Sequence, residues 1–261
     1  MPILTLLTDF GTADYYVAAV KGTVLRLAPG TTLVDISHQV PPGDVEAAAF
    51  LLAAAAPSFP DGSVHLAVVD PGVGSSRRIL AARTASGVFL APDNGLLGPL
   101  LEDADAAREI RAVERSDLHL PAPGATFHGR DRFAPVAAWL LEGGSLSELG
   151  PAVSDPVRLP AASPPRRTPG GISGRVVHVD RYGNLVTDLP AAWLPAGPCA
   201  VEVGGRAVTR QVAHYAEIPA GEAAMLVGSL GTLELSMNGE DLARRWTVVR
   251  GARVDLRWNG S

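Results

Sequence analysis

Lysine is almost missing from this chain. Lys21 is the only one in 261 residues, and the arginines are scattered. The formal net charge is −5, so no basic stripe exists to neutralise a phosphate backbone, and nucleic acid is excluded as a partner. Cysteine is equally scarce. Cys199 stands alone, which excludes a disulfide framework and a thiolate metal cluster. Long apolar runs are absent too, and the alanine-rich stretch near 47–57 is too short to span a bilayer. The start, MPILTLLTDF, has no charged n-region and reaches Asp9 too early for a secretory signal, so a soluble cytoplasmic protein with no membrane partner is expected. No internal repeat is present. Two nucleotide signatures also fail. "DPGVGSSRR" (70–78) lacks the spacing and the terminal Lys-Ser/Thr of a P-loop. "TDFG" (8–11) comes without the catalytic loop or the strand lysine of a kinase.

What is present is a globular chain, 47% hydrophobic and 19% charged, long enough for one large domain or two modest ones. Its first part alternates strands and helices. ILTLLT (3–8) reads as a strand, and Thr12 is placed to cap a helix running up to Pro29-Gly30. TLVDIS (32–37) is a second strand, and Asp44 caps a helix from Val45 to about Ala55. VHLAVVD (64–70) is a third strand, and ILAART with GVFLAP forms a hairpin around Ala85-Ser86-Gly87. Further helices are expected over Leu96–Ala107 and Phe133–Glu142. Continuous apolar strands between helices indicate a sheet covered on both faces.

The texture changes near residue 155. DPVRLPAASPPRRTPGG is rich in Pro, Gly and Arg and reads as a linker. Beyond it almost every segment alternates as a strand, and VEVGGRAVTRQV carries a two-glycine hairpin. The expected organisation is an α/β domain over 1–156, a linker over 157–171 and a smaller all-β, barrel-like domain over 172–261.

Asp9 and Asp70 each follow a strand. In open α/β sheets, ligands bind beyond the carboxyl ends of the strands, so two such acids point to one crevice. The plainer reading is that Asp is common in turns, where it bonds nearby backbone N–H groups. A divalent metal on Asp9, Asp70 and Asp93 is disfavoured, because Arg77 and Arg78 oppose a cation beside Asp70. His128 lies in "TFHGRD" (126–131), a polar loop before a helix, which suits an exposed, adjustable imidazole.

Seven segments in order resemble the S-adenosylmethionine (SAM) hydrolases, or SAM hydroxide adenosyltransferases, relatives of the SAM-dependent fluorinase and chlorinase. They are TDFGTADYYVAAVKG (8–22), DISHQVPPGDVEAAAFLL (35–52), VVDPGVGSSRR (68–78), APDNGLLGPL (91–100), TFHGRD (126–131), VDRYGNLVTDL (179–189) and GSLGTLELSMN (228–238). The resemblance implies a homotrimer whose sites lie between one subunit's first domain and the next subunit's second. It also implies the reaction of SAM with water to give adenosine and L-methionine, with no metal or cofactor. Carried over by position, the catalytic set falls on Asp70, Arg77 and His128. Asp9 matches the acid that binds the ribose hydroxyls, while Asp14, Asp180 and Ser229 match contacts to the methionine part. Asn184 matches an adenine contact, and Tyr182 and Tyr215 offer flat surfaces to the purine.

The departures separate subfamilies. Halogenases carry Tyr where Asp70 stands and lack the histidine of TFHGRD; the fluorinase has Ser at the place of Gly129 and Arg at that of Leu230. A carboxylate at position 70 repels a halide and favours a water. A halogenase on the same scaffold and a non-enzymatic adenosine or SAM sensor are the alternatives. In the hydrolase, attack at C5′ merges a negative nucleophile with a positive sulfur, so a dry pocket helps. Positioning supplies roughly 7–11 kcal/mol at best. Arg77 and the substrate cation keep Asp70 acidic, and water has a pKa of about 15.7. Either His128 takes the proton, or the proton leaves late; the residues alone leave both open.

Overall fold

The computed structural model describes residues 1–101, 107–121, 124, 126–160 and 163–258. The chain divides into two compact units, Met1–Ala161 and Ala162–Ser261. Among the described residues no helix is long and apolar enough to cross a membrane.

The first unit contains β1 (Ile3–Thr8), α1 (Tyr16–Leu27), β2 (Thr32–Ser37), α2 (Val45–Ala55), β3 (Val64–Val68), β4 (Ile79–Thr84), β5 (Gly87–Pro92), α3 (Gly98–Leu101), β6 (Ala107–Ala112) and α4 (Ala134–Leu141). The sheet order is β2-β1-β3-β5-β4-β6. β1 runs parallel to β2 and β3, β3 runs parallel to β5, and β4 is antiparallel to both its neighbours. Period-2 alternation divides the apolar residues between two cores. Leu4, Leu6, Leu66 and Val68 meet Val24 of α1 and Val136 and Leu140 of α4. Leu7, Ala67 and Phe89 meet Ala48 and Leu52 of α2 on the other face. That is why the strands read as continuous apolar runs.

Some expectations are corrected. α1 starts at Tyr16 without a side-chain cap, and Thr12 instead accepts a hydrogen bond from Gln39 Nε2 at 3.2 Å. Asp44 does cap α2, accepting from the Ala47 N–H at 3.0 Å. The expected helix over Leu96–Ala107 is reduced to Gly98–Leu101; residues 102–106 lie outside the described ones, and Ala107 already opens β6. Turns close first, with Asn94 Oδ1 accepting from Leu96 N at 3.2 Å and Gly95 O from Gly98 N at 2.9 Å. The helix expected over Phe133–Glu142 is α4, and a π-helical segment, Gly129–Phe133, precedes it.

The second unit contains β7 (Arg166–Thr168), β8 (Gly171–Val179), β9 (Leu185–Pro190), β10 (Cys199–Val203), β11 (Arg206–Val208), β12 (Ala223–Val227), β13 (Thr232–Met237), α5 (Leu242–Trp246) and β14 (Arg253–Trp258). β7 lies inside the stretch read as linker and pairs with β8. The main path is β11-β10-β14-β8-β9-β13-β12. Val212 N donates to Met225 O at 3.1 Å and Met225 N to Arg210 O at 2.9 Å, so the chain beyond β11 reaches β12 and nearly closes a barrel. Leu185, Val201, Leu233, Leu235, Val254 and Leu256 fill it.

Candidate active site

β1 lies between β2 and β3. From β1 the chain leaves towards one side of the sheet, and from β3 towards the other. Strand order therefore reverses between β1 and β3, and the carboxyl ends of two such strands are where open α/β sheets bind ligands. Thr8 pairs with Val68 across them, so Asp9 and Asp70 leave the sheet at the same end. The sequence placed both acids there; the topology makes that end a switch point.

The loop after β3 folds back by short turns. Val73 N donates to Asp70 O at 3.2 Å, and Ser75 N and Oγ both donate to Gly72 O, at 3.0 and 2.7 Å. Gly74 takes φ +84°, which favours glycine. Arg77 returns over Asp70. Its Nε lies 2.9 and 2.8 Å from the two carboxylate oxygens, and its Nη2 bonds Oδ2 as well. Both side chains are buried, at 9% and 5% exposure. The guanidinium also lies over the Phe133 ring, 5.5 Å from its centroid.

Arg77 Nη2 lies 2.9 Å from His128 Nδ1. A guanidinium has only donors, so Nδ1 is the acceptor and the ring proton resides on Nε2. Burial, then Arg132 and Arg77, hold the His128 pKa below its ordinary value against the opposing pull of Asp70. The ring is thus a neutral donor. The exposure expected for this ring is corrected: His128 is buried, because it turns to the buried Arg77 guanidinium, and its Nε2 has no hydrogen-bond partner among the described residues. Asp70, Arg77 and His128 form one connected group, with Arg77 as its centre.

His128 precedes the π segment, whose wider turn leads into α4. Gly129 packs beneath two rings: a Cβ there would lie 3.1 Å from Phe10 and 3.3 Å from Phe127. Phe10 follows Asp9, Phe127 precedes His128, and their rings meet edge-on with centroids 5.9 Å apart. Tyr16 and Arg130 also pack on Phe127, at 5.1 Å each. This aromatic joint between two candidate site segments was missed in the sequence, where the motif TFHGRD was the only trace.

Asp9 Oδ2 accepts from Gly43 N at 2.8 Å, while Asp14 is exposed in the segment before α1. Asp93 is engaged elsewhere, by Arg78 Nε at 2.6 Å and Val157 N at 2.8 Å. Arg78 further bonds Asp155, so it clamps the loop and does not join Arg77. Asn94, which sequence reasoning passed over, donates to Val69 O at 2.9 Å and fixes the strand end just before Asp70. No group of three or more His, Cys, Asp or Glu is placed to hold a metal among the described residues.

The second unit has its own cavity, of about 650 Å³. Asp180, Tyr182, Asn184 and Tyr215 line it; Ser229, in the exposed turn between β12 and β13, does not. Asp180 Oδ1 accepts from the N–H groups of Tyr182 and Asn184 at 2.8 and 2.9 Å, and Oδ2 accepts from Asn184 Nδ2 at 2.8 Å. Gly183 holds the turn at φ +82°. Tyr182 and Tyr215 are exposed, so both offer ring faces.

Residues 4–150 match the SAM hydroxide adenosyltransferase N-terminal domain, and residues 174–255 match the SAM hydroxide adenosyltransferase C-terminal domain. An (R)-S-adenosyl-L-methionine hydrolase of Thermus thermophilus is 44% identical over 96% of this chain and 97% of its own length. One of Salinispora tropica is 40% identical over 97% of each. A crystal structure of an uncharacterized conserved protein from Thermotoga maritima superposes with a TM-score of 0.90 at 32% identity, covering 97% of this chain and 99% of that one. A fluorinase of an Actinoplanes species is more distant, 29% identical over 98% of this chain and 97% of its own. The chain belongs to the SAM hydroxide adenosyltransferase family.

Proposed function

We propose that this protein is an enzyme that hydrolyses SAM to adenosine and L-methionine. The observation that carries this reading is the buried contact of Asp70 with Arg77 and of Arg77 with His128 at the end of β3. In the reaction, water oxygen bonds to C5′ as the C5′–S bond breaks, and the electron pair goes to sulfur as the thioether of methionine. Arg77 fixes both neighbours. Asp70 holds the water in line and faces the sulfonium. His128 presents its Nε2–H as a donor to the oxygens around C5′. A ring that already carries that proton, and whose Nδ1 lone pair is taken by a permanent cation, is not the base. The proton therefore leaves late. Once the C–O bond has formed, the oxygen is a strongly acidic oxonium, and even an Asp held by Arg77 accepts from it. Burial of the pair favours the charge-neutralising step.

The remaining assignments belong to the same proposal. Asp9 holds the ribose hydroxyls. Asp14, Asp180 and Ser229 serve the methionine part, while Asn184, Tyr182 and Tyr215 serve the purine. The active assembly is a homotrimer in which neighbouring subunits share each site, so light scattering should give three times the chain mass of 27.1 kDa. We place it in the cytoplasm and assign it no metal or cofactor, so chelation should leave turnover unchanged.

Purified protein should release adenosine and methionine in equal amounts from SAM. Asp70→Asn should lower kcat by roughly 10²–10⁴-fold with little change in SAM affinity. Bound SAM that is never cleaved, or chloride-dependent 5′-chloro-5′-deoxyadenosine, would overturn the reading.

A further inference from the structure

β13 alternates strictly. Leu233, Leu235 and Met237 enter the barrel core. Glu234 and Ser236, between them, point the other way; these two and Asn238, just past the strand end, each bond a residue that lines the 650 Å³ cavity. Glu234 Oε1 accepts from Tyr215 Oη at 2.5 Å. Ser236 Oγ donates to Asn184 Oδ1 at 2.6 Å. Asn238 Nδ2 donates to Ile218 O at 2.6 Å. The strand and the residue just beyond it thus bolt down two pieces of cavity wall that are distant in sequence, the Asn184 turn and the 215–218 segment.

Glu234 is the unusual member. It is 6% exposed, inside a sheet between Leu226 and Val186, where an apolar side chain would be the ordinary choice. A buried carboxyl without a purpose only costs stability. Its second oxygen lies against Gly228: a Cβ at that position would come within 2.8 Å of Oε2. The same carboxyl therefore touches the turn that carries Ser229. Tyr215, by contrast, is half exposed along its ring and fixed at its hydroxyl. A ring anchored at its tip and bare on its face is a platform.

We propose that Glu234, Ser236 and Asn238 form a positioning ladder for the ligand cavity, in which Glu234 sets the angle of the Tyr215 ring against the purine of the ligand. This rests on the reading of that cavity as the purine side of a SAM site. Glu234 touches no reacting atom; it acts through Tyr215. Ser236 orients Asn184 in the same way, so that its amide keeps one fixed edge towards the cavity.

The test measures adenosine binding by calorimetry, which needs no turnover. Glu234→Ala and Tyr215→Phe should each weaken adenosine by about tenfold, the loss of one charge-assisted hydrogen bond. The double variant should bind within about twofold of either single one, because both remove the same contact. Glu234→Gln should recover most of the affinity, since its amide oxygen still accepts from Tyr215. With SAM, the loss should enter KM more than kcat. Tyr215→Phe keeps the ring and the buried carboxyl and guards against a misfolded Glu234→Ala. Unchanged affinity in folded Tyr215→Phe, additive losses in the double variant, or no adenosine or SAM binding by the unaltered protein would overturn the ladder. Binding with these losses but no cleavage of SAM would sustain the ladder and remove the hydrolase reading instead.

Discussion

The two units bury polar groups in opposite ways. In the first, the buried groups at the strand ends are ions matched to arginines, Asp70 with Arg77 and Asp93 with Arg78. In the second, Glu234 is bonded by a hydroxyl and Asp188 by a backbone N–H, with the Arg175 guanidinium only at 3.9 Å from Asp188, and burial pushes the pKa of both up. In the proposed reading the first arrangement fixes charge beside the reacting centre, and the second fixes shape around the purine. A fork of guanidinium donors holds two partners at set angles, which bond chemistry demands. A single hydroxyl-to-carboxyl hydrogen bond suffices to hold a ring.

The largest break in that comparison is Arg77→Met. It leaves Asp70 as an uncompensated buried charge and takes the donor from His128 Nδ1. Losing one partner of a buried pair costs about 3–5 kcal/mol, so urea unfolding of the first unit should shift by that order. Turnover should fall at least as far as in Asp70→Asn. Hydrogen exchange should quicken across β1, β3 and α4 and stay unchanged in β8, β9 and β13. Equal loosening of both units would show that the ion pair does not serve the first unit alone.

Gly183→Ala is the matching break in the second unit, and a smaller one. The backbone there is left-handed, and an added Cβ would press on Asp241. Asp241 caps α5 by accepting from Arg244 N at 2.7 Å. Strain of this kind costs about 1–3 kcal/mol. Exchange should rise in α5 and the Asp180–Asn184 turn, adenosine affinity should drop, and the Asp70–Arg77 region should be untouched. A variant as stable as the parent would mean that Asp241 moves aside freely.

Much of this was legible in the chain and some was not, for physical reasons. Apolar runs marked β1, β3, β5, β9 and β13, because strands buried on one or both faces need them. Asp44 marked α2 by its cap. β6 was hidden because a short strand with charged residues, AREIRA, looks like the continuation of a helix, and only pairing with β4 reveals it. α5 is five residues long, below what periodicity detects. Asp70 and Arg77 are close in sequence, so two turns suffice to join them. His128 is 51 residues beyond Arg77 and carried no local signal for the contact. Its loop made it a candidate and the resemblance gave it a role, while its tautomer follows from the guanidinium beside it. Glu234 lies in the segment GSLGTLELSMN, but its burial has no signal there, because a charge in an alternating strand normally faces water.

The smallest expected effect lies in the sign of the pH dependence. In the first unit His65, His119 and His128 all have their pKa pushed below the ordinary 6.5, chiefly by burial. As pH falls below 6.5, the unfolded chain binds protons at these rings before the folded chain does, so this unit loses stability. In the second unit the shifts run the other way. Burial raises Glu234 above its ordinary 4.5 and Asp188 above 3.8, so the folded chain takes up protons first and gains stability as pH falls towards those values. Asp35 and Asp255, which are lowered from 3.8, withdraw their support only near and below that pH. Between the ordinary histidine and carboxyl ranges, about pH 6.5 to 4.5, the two units should therefore diverge. Hydrogen exchange of the full chain, corrected for its intrinsic pH dependence, should show protection falling in β1, β3 and α4 while β9 and β13 hold or gain. A parallel decline in both would mean that the buried carboxyls of the barrel are ionised as readily as in water, and the contrast between the units would then rest on the arginines alone.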